Sequence, residues 1–368
     1  MNHLPFGDDA ARIRPRLVIL AAVGLVLLAG IAAGLARIGL WTAEPLANLG
    51  ALHGPLMVSG FFGTLVSLDR AVAVRRSWAY LAPALAAIGA LALVSGAPHA
   101  IGGGLMTVGS AVMVGTTFAL AAQGRTLPLN VVAAGALAWF LGSLLWLQAA
   151  PVDSVALWWA VFFILTIAGE RLERSDLIRP PVPVRASFIV SMALLVGGAA
   201  TVGTAPDLGF VIAGTGIIGL AIWFARHDVA RRMLREADIT QYVAICVLSA
   251  YAWLGVAGLS ALGLWVMPGA YDTMLHALFL GFVFSMVLGH APIILPAVAR
   301  LRVTFSAAFY APLLILQASL LLRLGGSLLE DPEAQLSGAA GNAAALLLFA
   351  VIMAWAVLRG KLADALTD

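Results

Sequence analysis

Charge is what this chain of 368 residues most lacks: 11% of its residues are Asp, Glu, Lys or Arg, while 62% are apolar. Soluble domains carry about a quarter charged residues. So few charges cannot cover a water-facing surface, so a soluble enzyme, a disordered chain and a nucleic-acid module are excluded and lipid must cover most of the molecule. The mean hydropathy of +1.01 agrees. Cysteine is also nearly absent. The single Cys246 lies inside an apolar run, which rules out an internal disulfide and a Cys-rich metal site. Lysine occurs once, at Lys361, against twenty arginines. No Asp, Glu, Lys or Arg falls in the middle third of any long apolar run. That counts against a transporter coupled through a midplane carboxylate, although backbone carbonyls also bind ions.

What is present is apolar sequence in lengths that fit a bilayer, which needs about 20 residues per helix. Twelve such runs are read, at 17–39, 50–69, 78–96, 100–122, 129–149, 153–170, 186–205, 208–225, 240–265, 272–298, 303–324 and 337–358. Breakers separate them: Glu44-Pro45, Gly96-Ala97-Pro98, Gly124, Pro151, Pro180-Pro181-Val182-Pro183, Pro206 and Pro268-Gly269. Asp207 is the expected N-cap after Pro206. The first run is too long for a signal peptide and lacks a cleavage site, so it reads as a helix. The short connections leave no room for a soluble domain, and the whole of 1–368 reads as one transmembrane domain.

The arginines give this count a direction. With the N-terminus in the cytoplasm and each span reversing the side, 19 basic residues fall inside and only Arg37 and Arg323 fall outside. That asymmetry is the positive-inside pattern. The expectation is an all-α polytopic protein of a bacterial-type inner membrane, with both termini cytoplasmic and a net charge of +3 that reflects topology. Asp69, Glu170 and Glu173 stand at cytoplasmic ends beside arginines, where interfacial pairing accounts for them.

Six histidines carry the chemistry on offer: His3, His53, His99, His227, His276 and His290. His3 is in the tail, His227 among cytoplasmic arginines and His99 in an outer turn. His53 and His276 enter helices 2 and 10 from the outer side, a few residues past the boundary. Two neutral imidazoles at equal depth on different helices suit the axial ligation of a b-type haem, propionates outward. Arg37 and Arg323 stand at the level of those propionates, though headgroup anchoring explains them too. Trp41 and Trp265 equally suit an aromatic belt. Met57, one turn below His53, is a candidate for a haem face or for the core. Gly50, Gly54, Ser59, Gly60 and Gly63 let a neighbouring helix or a flat macrocycle approach helix 2. His290 follows His276 by 14 residues, about 21 Å along a helix and within about 40° of the same face. It sits beside Pro292 and Pro296, which should kink this end. There it either satisfies a freed carbonyl or forms a second ligand site.

Twelve helices with haem histidines on helices 2 and 10 are similar to subunit I of the haem-copper oxidases. The motif His53-x-x-x-Met57-x-x-Gly60-Phe61 resembles the early motif of the NnrS family, multi-span relatives of those oxidases linked to nitric-oxide tolerance. The segments 50–57, 168–173 and 276–281 look like signatures of that kind. Departures limit what the resemblance implies. Helices 6 and 7 carry no histidine for copper, helix 10 lacks a close histidine pair, and Pro55 and Leu56 replace a histidine and a glutamate of the NnrS motif. The resemblance therefore implies the low-spin haem site alone. Copper is not expected, and no enzymatic activity is assigned.

Three functions fit these residues. One is a haem b protein for electron transfer or for a response to nitric oxide or another diatomic gas, served by a redox partner or quinol. The second is a permease for a small neutral solute, and the third an assembly factor for a respiratory complex. The composition does not choose among them.

Overall fold

The computed structural model describes residues 7–40, 46–124, 126–173, 181–263 and 267–365. Among them there is no strand. Twelve helices are long and apolar enough to cross a membrane: α1 (Arg14–Arg37), α2 (Leu49–Val74), α3 (Ser77–Val94), α4 (His99–Gly124), α5 (Leu127–Leu147), α6 (Ser154–Glu173), α7 (Val182–Thr201), α8 (Pro206–His227), α9 (Asp238–Leu262), α10 (Ala270–Ala299), α11 (Ala307–Leu328) and α12 (Pro332–Gly360). The chain is a multi-pass membrane protein. His3, Trp41, Arg125, Arg174, Arg179 and Trp265 lie outside the described residues.

Every expected span has its helix, and the ends differ for local reasons. Proline stands in the first turn of α5, α7 and α8, where its missing N–H costs nothing and its fixed φ suits the helix. Thus α7 begins at Val182 rather than 186. The N-cap of α8 is Ala205, and Asp207 lies inside the first turn instead of capping it. There its charge still favours the positive helix end. Residues 301–306 are not helical, so α11 begins at 307 rather than 303. Thr304 there donates its backbone N–H to the Ala356 carbonyl of α12. His99 opens α4 rather than sitting in the preceding turn, and its ring meets Trp146 edge-on at 4.4 Å.

Contacts divide the chain into two compact units, Met1–Val155 with Leu295–Arg300, and Ala156–Ile294 with Leu301–Asp368. In the first, small residues bring helices close. A Cβ on Gly89 of α3 would lie 2.6 Å from the Gly102 carbonyl of α4, so bulk there would separate the pair. Arg16 of α1 donates to the Tyr80 hydroxyl and to the Val298 carbonyl. In the second unit, Gly258 of α9 and Gly214 of α8 make a similar approach.

Helices α2 and α10 share a local irregularity. Residues Leu56–Gly63 of α2 and Ala277–Phe284 of α10 are wound as π-helix, eight residues each. Such wide turns are uncommon, and they frequently lie at functional sites. Below the α2 segment the Thr64 hydroxyl donates to the Gly60 carbonyl and the Ser67 hydroxyl to that of Gly63, both at 2.6 Å. Those bonds satisfy carbonyls where one winding gives way to the other.

Candidate functional site

In the first unit, His53 stands three residues before the π segment of α2. Its Nδ1 lies 2.8 Å from the Gly30 carbonyl oxygen of α1. A carbonyl only accepts, so Nδ1 carries the proton. α1 leaves room for the ring through Gly34, where a Cβ would stand 2.8 Å from Cε1 and Nδ1. Gly30 receives Met57 in the same way, 2.5 Å from Sδ to an added Cβ. Met57 is thus seated against α1 as a core side chain. The small residues of α2 serve neighbouring helices: Gly60 meets Ala90 of α3 and Val26 of α1, and Gly63 meets the ring of Trp139 of α5. The Trp139 indole donates to the Ser59 hydroxyl at 3.0 Å. Arg37, at the end of α1, is exposed, and its backbone packs on Gly50.

In the second unit, His276 immediately precedes the π segment of α10. Its Nδ1 lies 2.8 Å from the Asp272 carbonyl oxygen and 3.1 Å from the Asp272 Oδ1. The ring is therefore also in the Nδ1–H form, but one of its acceptors is a carboxylate. Asp272 belongs to the first turn of its helix, where negative charge is favoured. The same Oδ1 accepts from Arg323 of α11 at 3.4 Å. Gly269 permits this docking. It takes φ +71° at the entry to α10, and a Cβ there would strike the Ser327 carbonyl at the end of α11. Arg323 is 9% exposed. Its Nε, Asp272 Oδ2 and Thr273 Oγ1 are buried atoms without a hydrogen-bond partner among the described residues. Donors and an acceptor therefore remain for a polar group at this end of α10. Further down, Trp253 of α9 covers Gly281, and its indole donates to Gln317 Oε1, while Gln317 Nε2 donates to the Ser285 hydroxyl. A tryptophan seated on a glycine of a π segment thus occurs in both units.

The remaining histidines are used differently. His290 donates Nδ1–H to the Met286 carbonyl at 2.8 Å, four residues back on its own helix. Its Nε2 accepts from Arg171 at 3.5 Å. His227 also donates to its own helix, at the Trp223 carbonyl, and its ring lies 5.0 Å from that indole. His290 thus belongs to a buried polar network that sequence reading missed. Arg171, at the end of α6, forms a two-pronged ion pair with Asp228 after α8. Tyr251 of α9 donates to Asp228 Oδ2 at 2.7 Å, and the Ala230 N–H to Oδ1 at 2.7 Å. Burial pushes the Asp228 carboxyl up, but the Arg171 bonds and charge outweigh it and hold it below the ordinary range. The expected interfacial pairing is present at Asp69, which meets Arg70 at 2.9 Å. For Arg171 the partner is Asp228, and a lone acid in the basic stretch 226–235 was the available signal.

Haem iron takes neutral imidazoles through a nitrogen lone pair, with the other ring nitrogen fixed by an oxygen acceptor. His53 and His276 each have Nδ1 fixed by an oxygen, so the donor chemistry fits. Among the described residues no group of three or more His, Cys, Asp or Glu could hold a metal ion. No curated protein and no solved structure matches the chain. The family described as Domain of unknown function (DUF8744) matches residues 16–358, nearly the whole run of spans, and the chain belongs to that family.

Proposed function

We propose that this chain is an integral membrane haem-binding protein, with b-type haem ligated by His53 and His276, serving electron transfer or a response to a diatomic gas such as nitric oxide. One observation carries this reading. Each of the two rings gives its Nδ1 proton to a fixed oxygen and stands at the head of a π-helical segment. Such fixing by an outer acceptor is what an imidazole ligand to iron needs. Arg323, whose Nε has no hydrogen-bond partner among the described residues, and the exposed Arg37 are the cations for the propionates. The arginine distribution supports both termini on the cytoplasmic face of a bacterial-type inner membrane. The spectrum of protein purified after haem-sufficient expression tests the proposal. A Soret band with sharp reduced α and β bands is expected, and His53→Ala and His276→Ala should each remove the sharp bands. Colourless wild-type protein refutes it.

A further inference from the structure

The arginines of the second unit are not all engaged in the same way. Arg171 is held by Asp228 and Arg323 by Asp272. Arg185, Arg226, Arg231 and Arg235 are exposed and make no ion pair among the described residues. The one acid within the run 226–235 is Asp228. It is 7% exposed, and its oxygens are taken by Arg171, Tyr251 and the Ala230 N–H. The acid is thus turned inward, and the run presents charge of one sign. Backbone bonds from Arg232 to Val229, Leu234 to Ala230 and Arg235 to Arg232 hold it in successive turns. Two of the exposed arginines lie together on a packed helix pair. The Trp223 indole of α8 donates to the Val184 carbonyl of α7 at 2.9 Å. Arg185 is one residue from that bond and Arg226 three. On each helix an exposed apolar side chain stands four residues further into the span, about 6 Å along the axis and on the same face as the arginine. These are Ile189 of α7, 40% exposed, and Ile222 of α8, 47% exposed.

We infer that this end of the α7–α8 pair, with the start of the run that follows it, is a binding site for an anionic phospholipid of the surrounding bilayer. The phosphate meets Arg185, Arg226 and Arg231, and the acyl chains run along Ile189 and Ile222. Guanidinium groups at the helix ends supply the charge that recognises an anionic headgroup. A free anion uses the arginines but has no use for apolar side chains one turn deeper on both helices, so the lipid is the occupant that fits both. The topology proposed from the arginines puts this end in the cytoplasmic leaflet, where anionic lipids set a negative surface potential. The inference goes beyond the haem reading and stands if that reading fails.

Phosphatidylglycerol is the probe, added to the full-length protein in a neutral detergent, with phosphatidylcholine as the comparison of zero net charge. Native mass spectrometry counts the bound lipid, and the midpoint of thermal unfolding is read alongside, since a ligand of the folded state raises it. Wild type should retain phosphatidylglycerol in preference to phosphatidylcholine, and less so as salt rises. Arg185→Gln, Arg226→Gln and Arg231→Gln together should abolish the preference and the lipid-dependent rise in midpoint, with the midpoint in lipid-free detergent unchanged. Each single replacement should weaken binding about fivefold, and these singles carry the test if the triple variant does not fold. Removing the same charge from other exposed positions, with Arg14→Gln, Arg75→Gln and Arg76→Gln, should leave the preference intact. Glycerophosphoglycerol, the headgroup without chains, and inorganic phosphate should produce no rise at concentrations where phosphatidylglycerol saturates. Equal loss in the two triple variants overturns the inference, because charge anywhere on the chain would then suffice. So does a wild type without preference, and so does a full effect of inorganic phosphate, which would make this a site for a free anion.

Discussion

Among the described residues, Arg171 and Asp228 carry most of the buried charge. Both are nearly buried, at 5% and 7% exposure, and their pairing is completed by Tyr251, the Ala230 N–H and His290. Removing one partner of a buried pair leaves an uncompensated ion and costs about 3–5 kcal/mol. Arg171→Met should therefore lower stability by that order in detergent-denaturant titration, and Arg171→Met with Asp228→Leu should recover much of it. The pair also predicts a pH effect. The Asp228 carboxyl is depressed, so its contribution is complete above the ordinary Asp value of about 3.9 and is lost as pH falls through the depressed value. The acid limb of a thermal-unfolding profile should flatten in Asp228→Asn. At this scale the sequence was only partly legible. Arg171 was visible as a cation at a span end, but its partner lies 57 residues away in a loop, and no local rule links the two.

At the scale of the element, spans were readable and their winding was not. A stretch apolar on every face, such as 277–284, has no polar residue to mark a period, so π and α windings look alike in sequence. Each wide turn has a tertiary neighbour: a Trp139 ring lies over Gly63 and a Trp253 ring over Gly281. Filling those seats should be costly, since overpacking typically costs about 1–3 kcal/mol. Gly281→Ala should lower the midpoint of thermal unfolding and shift Trp253 fluorescence, whereas Gly104→Ala in α4, with open space around it, should do neither. Helix starts were misread where proline was taken as a break rather than as a first-turn residue, as at Pro206.

For the whole molecule, twelve apolar runs separated by turn residues gave the helix count directly, because a bilayer leaves few other ways to satisfy a backbone. The topology proposed from the arginines makes a clean prediction. Cys246 is fully buried and packs on Gly289, so it should stay inert to maleimides in the intact protein. Cysteines introduced at Arg235 and Arg76 should react only once the inner face is exposed, and one at Leu329 from the outer side. Label at Arg235 from outside would reverse the orientation. The division into two compact units had no signal in composition, since both are equally apolar.

Synthesis order gives the long-range ion pair another meaning. The chain emerges N-terminus first, so α6 reaches the bilayer with Arg171 exposed while Asp228 is still 57 residues from being made. α7 and α8 must both be threaded before that cation is neutralised. Nascent chains halted before residue 228 should thus be degraded by membrane proteases faster than chains halted after residue 262, where the counter-ion and Tyr251 are both in place. The pair marks the moment at which the growing chain becomes safe from disposal.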